Sequence, residues 1–324
     1  MIKDYPQNQS ANNENTAAQM AAFTHLGEEL LKENKRNRRF KIVSRLVMLS
    51  IALAVFVLPG LMQKKMSTLP TVEHAAVVRM EGLVMPGAEI DAEYINPALR
   101  NAFSANNTKG VILQINSPGG SPVQAERIYD EIMLLKSEYP EKKVVAVIDD
   151  VGASAAYYIA CAADEILSAK ASLVGSIGVV VNGFGAVDAM KKLGVERRLI
   201  TAGTNKALLD PFMPLDESQR AYMQSVVDEV HEQFIAAVKL GRGDRLADDD
   251  TLFSGLFWNG SKAVTLGLID QIGNMDMAMR DLIGVEERYD YSPAPSLIEE
   301  ITGQLGISLS SAMSRVFATQ QLGY

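Results

Sequence analysis

The sequence has little of the side-chain chemistry that most often builds redox and metal sites: one cysteine, Cys161, and three histidines in 324 residues. A lone thiol excludes an intrachain disulfide framework and a multi-thiolate metal centre. The histidines are scattered: His25 lies in a polar head, His74 just beyond an apolar run, and His231 inside a long helical pattern. Only His231 is left open as the base of a Ser-His-Asp triad. Positive charge is scarce where it would matter for nucleic acid. Of 31 Lys/Arg, ten fall before Met66; from Met66 onward acidic residues prevail and leave a net charge of roughly −13. That excludes sequence-independent nucleic-acid binding, which needs cations to displace phosphate counterions. Internal repeats and low-complexity tracts are missing. Gly183-Phe184-Gly185 runs on to Asp188 where a phosphate loop needs glycine, and Asp248-Asp249-Asp250 lacks the alternating ligands and glycine of a calcium loop.

What is present begins with a head of opposite sign. Residues 1–39 are polar, rich in Asn, Gln, Ala and Glu, and read as a flexible tail. Leu46 to Met62 then runs LVMLSIALAVFVLPGLM without a charge, long enough to cross a bilayer as a helix, and residues 40–65 read as an anchor with its flanks. Lys32, Lys35, Arg36, Arg38, Arg39, Lys41 and Arg45 precede the run; only Lys64 and Lys65 follow closely. This asymmetry places the N-terminus in the cytoplasm and the body outside it, periplasmic in a bacterial cell with an inner membrane. Membrane lipid is then a partner through the anchor.

The body alternates short β-branched runs with amphipathic stretches. Ala75–Met80, Val111–Asn116, Val144–Asp149 and Glu165–Ser168 read as strands; Ile95–Ala105, Gln124–Glu138 and Ala155–Ala163 read as helices. Asp216-Glu217-Ser218-Gln219 is a capping signal for a long helix to about Leu240. The expected class is α/β, with a mostly parallel sheet covered on both faces. Past Pro295, residues 291–324 carry irregularly spaced apolar residues and read as a packing or subunit-contact tail.

In open α/β sheets, ligands bind beyond the carboxyl ends of the strands. Two such ends stand out. After VILQIN comes Ser117-Pro118-Gly119-Gly120-Ser121-Pro122, whose glycines permit close backbone approach but which by itself reads as a turn. After VVAVID comes Asp150-Val151-Gly152-Ala153-Ser154-Ala155, which sets a serine among small neighbours at a helix start; there a plain helix cap is the structural alternative. Asp149-Asp150 reads as a solvated loop. A serine nucleophile needs a base, and a lysine kept neutral by burial serves where histidine is lacking. Many lysines qualify by type; Lys206, followed by apolar Ala207, Leu208 and Leu209, is one. Cys161, on the helix after Ser154, reads as core packing.

NSPGGS at Asn116–Ser121, DDVGASAAYYIACAADEI at Asp149–Ile166 and SLVGSIGVV at Ser172–Val180 resemble the signal peptide peptidase A family in its short, single-repeat form. The resemblance implies a ClpP/crotonase-like fold of repeated β-β-α units over residues 66–290, beside one transmembrane helix. It implies a Ser/Lys endopeptidase without metal or organic cofactor, in which Ser154 is the nucleophile, Lys206 the general base and Ser176 the residue that orients the lysine. Backbone N–H groups of Gly120 and Ala155 would form the oxyanion hole. Peptide substrates, cleaved signal peptides among them, and assembly into a homo-oligomer follow from the same resemblance. A crotonase-like acyl-CoA enzyme and a non-catalytic membrane scaffold are the alternatives.

Overall fold

The computed structural model describes residues 32, 35, 37–52 and 71–293. The chain divides into two units, Met1–Leu69 and Pro70–Tyr324. In the first, residues 37–52 form helix α1. This helix takes in only the start of the apolar run; residues 53–62 of the run, and the C-terminal segment from 294, lie outside the described residues. Among the described residues no helix is long and apolar enough to cross a membrane.

The second unit is built on strand–helix alternation. Strand β1 (His74–Val84) leads to α2 (Ala92–Ser104), β2 (Thr108–Gly120), α3 (Pro122–Glu138), β3 (Lys143–Ala153), α4 (Ala155–Ala160) and β4 (Glu165–Ser168). Then come β5 (Leu173–Gly175), α5 (Val187–Leu193), the long α6 (Glu217–Arg242), β6 (Phe257–Asn259), α7 (Gly260–Thr265), β7 (Gln271–Ile272), α8 (Met275–Met277), a π-helical turn (Ala278–Ile283) and β8 (Arg288–Asp290). The sheet order is β6-β5-β3-β2-β1-β8, with β4 and β7 branching from β3. All pairings are parallel except β5 with β6.

Side-chain caps start the helices, and the Asp216 signal acts where the sequence places it. Asp91 accepts from the Glu93 N–H, Ser121 from that of Gln124 with Pro122 at the first helical turn, and Asp216 from those of Ser218 and Gln219. The strands read as continuous apolar runs because both faces are covered. Val78, Met80, Leu113, Ile115, Ala146 and Ile148 pack beneath the helices in the main core, while Val77, Ile112, Val145 and Val147 face Ala278 and Met279 of the π-helical turn.

Two sequence expectations are corrected. The Ser117–Gly120 stretch is not a free turn: β2 continues through it, with Gly119 and Gly120 beside Leu83 and Val84 of β1. Nor is Asp149-Asp150 a solvated loop, because β3 runs on to Ala153. The pairing of β2 with β3 jumps from Ile115↔Ile148 to Ser117↔Gly152, so residues 149–151 form a bulge. The Asn116 side-chain oxygen accepts the Val151 N–H at 3.2 Å within it, and Asp149 accepts from the Gln114 amide at 2.8 Å. Before the bulge β3 pairs with β4; from its last residue, Val151, through Ala153 it pairs with β5. The strand is thereby re-aimed just ahead of Ser154.

Candidate active site

Ser154 occupies the single residue between β3 and α4, with φ 53° and ψ −127°. Such backbone costs a non-glycine residue roughly 1–3 kcal/mol and persists only where its surroundings enforce it. They do: the Ser154 N–H donates to the Gly175 carbonyl at 2.8 Å, and its own carbonyl accepts from Tyr158 at 3.0 Å. Its side chain makes no capping hydrogen bond, which removes the helix-cap explanation for a serine here. A strand, a strained serine and a helix in succession form the arrangement that exposes a nucleophile at the end of a sheet.

The register β3–β5 pairs Ala153 with Gly175, so Ser154 and Ser176 each come directly after the last paired residue of these two neighbouring strands. Ser176 is also held at positive φ, 54°, with its N–H on the Leu256 carbonyl at 2.7 Å. Facing them is the glycine pair of β2. A methyl group on Gly119 would stand 2.7 Å from Ser154 Cβ and 2.8 Å from the Ala155 nitrogen. Only a bare backbone can approach the serine this closely.

A cavity of about 210 Å³ opens over Ser154. Gly120, Ser154 and Ala155 form its floor; Pro122, Val123 and Glu126 of α3, Tyr158 of α4, residues 178–180, and Val230, Gln233 and Phe234 of α6 form its walls. Tyr158 stays a neutral phenol, its pKa pushed up to about 12 by burial and by the Glu126 and Asp130 charges. The sequence reading missed the α3 and α6 walls. Their signal was present: Val123 and Glu126, and Val230, Gln233 and Phe234, recur at helical spacing on helices that flank the motifs.

Three of the five expected residues, Gly120, Ser154 and Ala155, line this cavity; Ser176 directly follows β5, which pairs with the end of β3, and is not among the lining residues. Lys206 does not line this cavity. It is exposed, in a turn between α5 and α6 where its N–H donates to Gly203 at 3.2 Å. That segment is pinned by the Arg197–Asp210 ion pair at 2.5 Å and by Arg197 over the Phe212 ring. His231 is committed elsewhere: its Nε2 lies 3.1 Å from the Ile177 carbonyl, which can only accept, so this nitrogen is a donor.

A network of ion pairs underlies α4. Arg242 of α6, 1% exposed, grips Asp270 at 2.8 Å, and Arg245 joins them at 3.0 Å. Burial works against the Asp270 charge, but Arg242, the Ile166 N–H and Arg245 outweigh it and hold the carboxyl below its ordinary pKa. Close by, the Tyr157 hydroxyl donates to Leu268 at 2.6 Å, and burial pushes the Cys161 thiol up to about 12.

Residues 136–284 match the profile of peptidase family S49, and residues 75–172 that of Clp protease. Among curated relatives, an Na(+)/H(+) antiporter NhaA of Brucella melitensis is 42% identical over 236 residues, 71% of this chain and 32% of that protein. Protease 4 of Haemophilus influenzae is 32% identical over 209 residues, 63% of this chain and 33% of that protein. The chloroplastic serine protease SPPA of Arabidopsis thaliana is 30% identical over 206 residues, 63% of this chain and 30% of that protein. The chain thus spans about a third of the length of these relatives, and most of the antiporter lies outside the match. The serine on its strained turn, the glycines against it and the profile match over residues 136–284 agree in likening this chain to peptidase family S49, and protease 4 and serine protease SPPA are among its relatives.

Proposed function

We propose that this chain is a serine endopeptidase that hydrolyses peptides held in an extended form over Ser154. The observation that carries the reading is Ser154 itself, strained, without a capping role, and set at the floor of a cavity against Gly119. In the reaction, Ser154 attacks the peptide carbonyl, and the developing oxyanion is met by the N–H groups of Gly120 and Ala155. Lys206 takes the serine proton and passes it to the leaving amine; Ser176 orients the lysine. Water then resolves the acyl-enzyme through the same groups.

Because Lys206 is exposed, the dyad needs its segment to be brought against a serine. Val180, Phe184, Leu193, Ile200, Phe212 and Leu215 in this stretch expose apolar side chains, Ile200 at 98%. Association of copies through this face buries them and supplies Lys206 to Ser154. We further assign the apolar run Leu46–Met62 as a single-pass anchor, with the N-terminus cytoplasmic, the body outside the cytoplasm, and signal peptides released in the membrane as substrates.

The test is hydrolysis of a fluorogenic peptide, apolar before the scissile bond, by the full chain in detergent. Wild type should cleave it, and Ser154→Ala and Lys206→Ala should each lose at least about a hundredfold in rate. Mixing the two inactive variants should restore part of the rate if assembly supplies the base. Undiminished hydrolysis by Ser154→Ala sinks the peptidase reading.

A further inference from the structure

Glu126 has no task in the chemistry above, yet it lies on the wall of the Ser154 cavity. Its position follows from α3: Ser121 and Pro122 start the helix at the end of β2, so Val123 and Glu126 fall on the first turns above the glycine pair. Among the residues that line the cavity, Glu126 is the only one charged at neutral pH, since the Tyr158 phenol is held protonated. The other wall residues are Pro122, Val123, Val179, Val180, Val230, Gln233 and Phe234, all uncharged. The Glu126 carboxylate has no hydrogen bond or ion pair among the described residues, although Arg127 is its neighbour in sequence. Its place among the lining residues sets a negative charge at the edge of the cavity. An apolar slot with a single unpaired carboxylate fits a long alkyl stem that ends in a cation.

We propose that Glu126 is a specificity-determining residue, which makes the cleft favour a lysine or arginine side chain of the bound peptide beside the scissile bond. The proposal rests on the peptidase reading for the position of the scissile bond, but not for the cation site itself. The stem lies along Val123, Tyr158 and Phe234, and the ammonium or guanidinium reaches the Glu126 carboxylate. Because Glu126 is exposed, the attraction is screened by salt. A free peptide N-terminus offers the same positive charge without the stem.

The experiment uses the full chain in detergent and internally quenched, N-acetylated decapeptides in which lysine, or its uncharged isostere norleucine, is scanned across the positions flanking the scissile bond. For at least one position, kcat/KM for lysine should exceed that for norleucine by about three- to tenfold at low salt. The preference should shrink at high salt, vanish in Glu126→Gln and reverse in Glu126→Lys. Peptides with a free N-terminus and norleucine throughout form a further arm; if they alone gain from Glu126, the cation is the terminus and the side-chain proposal falls. Binding is followed in parallel by fluorescence anisotropy with Ser154→Ala, alone and combined with Glu126→Gln. Hydrolysis that depends on Ser154 but chooses lysine equally with and without Glu126 overturns the proposal and leaves the peptidase reading standing. Glu126-dependent lysine binding without Ser154-dependent hydrolysis does the reverse.

Discussion

Replacing Arg242 by methionine isolates the energetic weight of the ion-pair network under α4. The guanidinium donates to both Asp270 oxygens, at 2.8 and 3.0 Å, and to the Gly267 carbonyl at 2.8 Å. Methionine retains most of the apolar stem but leaves Asp270 with only the Ile166 N–H and the half-exposed Arg245. Removal of one partner from a buried pair costs about 3–5 kcal/mol; the help from Arg245 places the expectation at the low end, about 3 kcal/mol. For a body of this size that is a fall in Tm of roughly 6–12 °C. Thermal and urea unfolding of the full chain at pH 7 would measure it. The loss should also depend on pH. In the wild type the Asp270 carboxyl sits below its ordinary pKa, so its stabilisation is present above about pH 4 and fades as the pH falls through the depressed value. The variant forgoes that stabilisation, and the gap between the two proteins should narrow toward pH 3. Arg242→Met combined with Asp270→Leu should recover most of the loss, because no buried charge is then left uncompensated and Arg245 is half exposed to water. A loss below about 1 kcal/mol at pH 7, or one that does not change with pH, would refute the reasoning.

Gly119→Ala should reduce peptide hydrolysis by about a hundredfold or more, since its methyl group displaces Ser154 and Ala155 from their mutual geometry. Gly87→Ala, also at positive φ but with open space around it, should cost about 1 kcal/mol of stability and leave kcat/KM unchanged in the same assay. Tyr157→Phe removes the fully buried hydroxyl from the Leu268 carbonyl and should lower stability by about 1–2 kcal/mol in urea titrations. Cys161, with its thiol pushed up to about 12 by burial, should resist iodoacetamide at pH 8 in the folded protein and react fully in urea, as read by mass spectrometry.

The strands were legible because parallel strands buried on both faces leave unbroken β-branched runs: Val111–Asn116 and Val144–Asp149 lie within β2 and β3, and Glu165–Ser168 is β4. The long helix α6 was legible from its Asp216 cap, and the earlier helices from the amphipathic spacing of their apolar residues. The strand extensions were not. Gly119, Gly120 and Gly152 carry turn-like local preferences, and only partners far along the chain, Leu83 for Gly119, Val84 for Gly120 and Ser117 and Val174 for Gly152, make them strand. In the candidate site, Ser154 was legible because a serine among small residues at a strand–helix junction is a local pattern. The cavity walls were not, because helical spacing marks the faces of α3 and α6 but does not record that packing joins those faces over Ser154.

Local sequence by itself determined the alternation of strands and helices, the place of the serine, the acidic body and the basic head, since each depends on neighbours a few residues away. Tertiary structure decided the bulge at residues 149–151, the positive φ of Ser154, its contact with Gly119 and the isolation of Glu126 in an apolar wall. These depend on how separate strands and helices meet. A strained backbone and a close approach exist only where surrounding contacts outweigh the local preference of the chain.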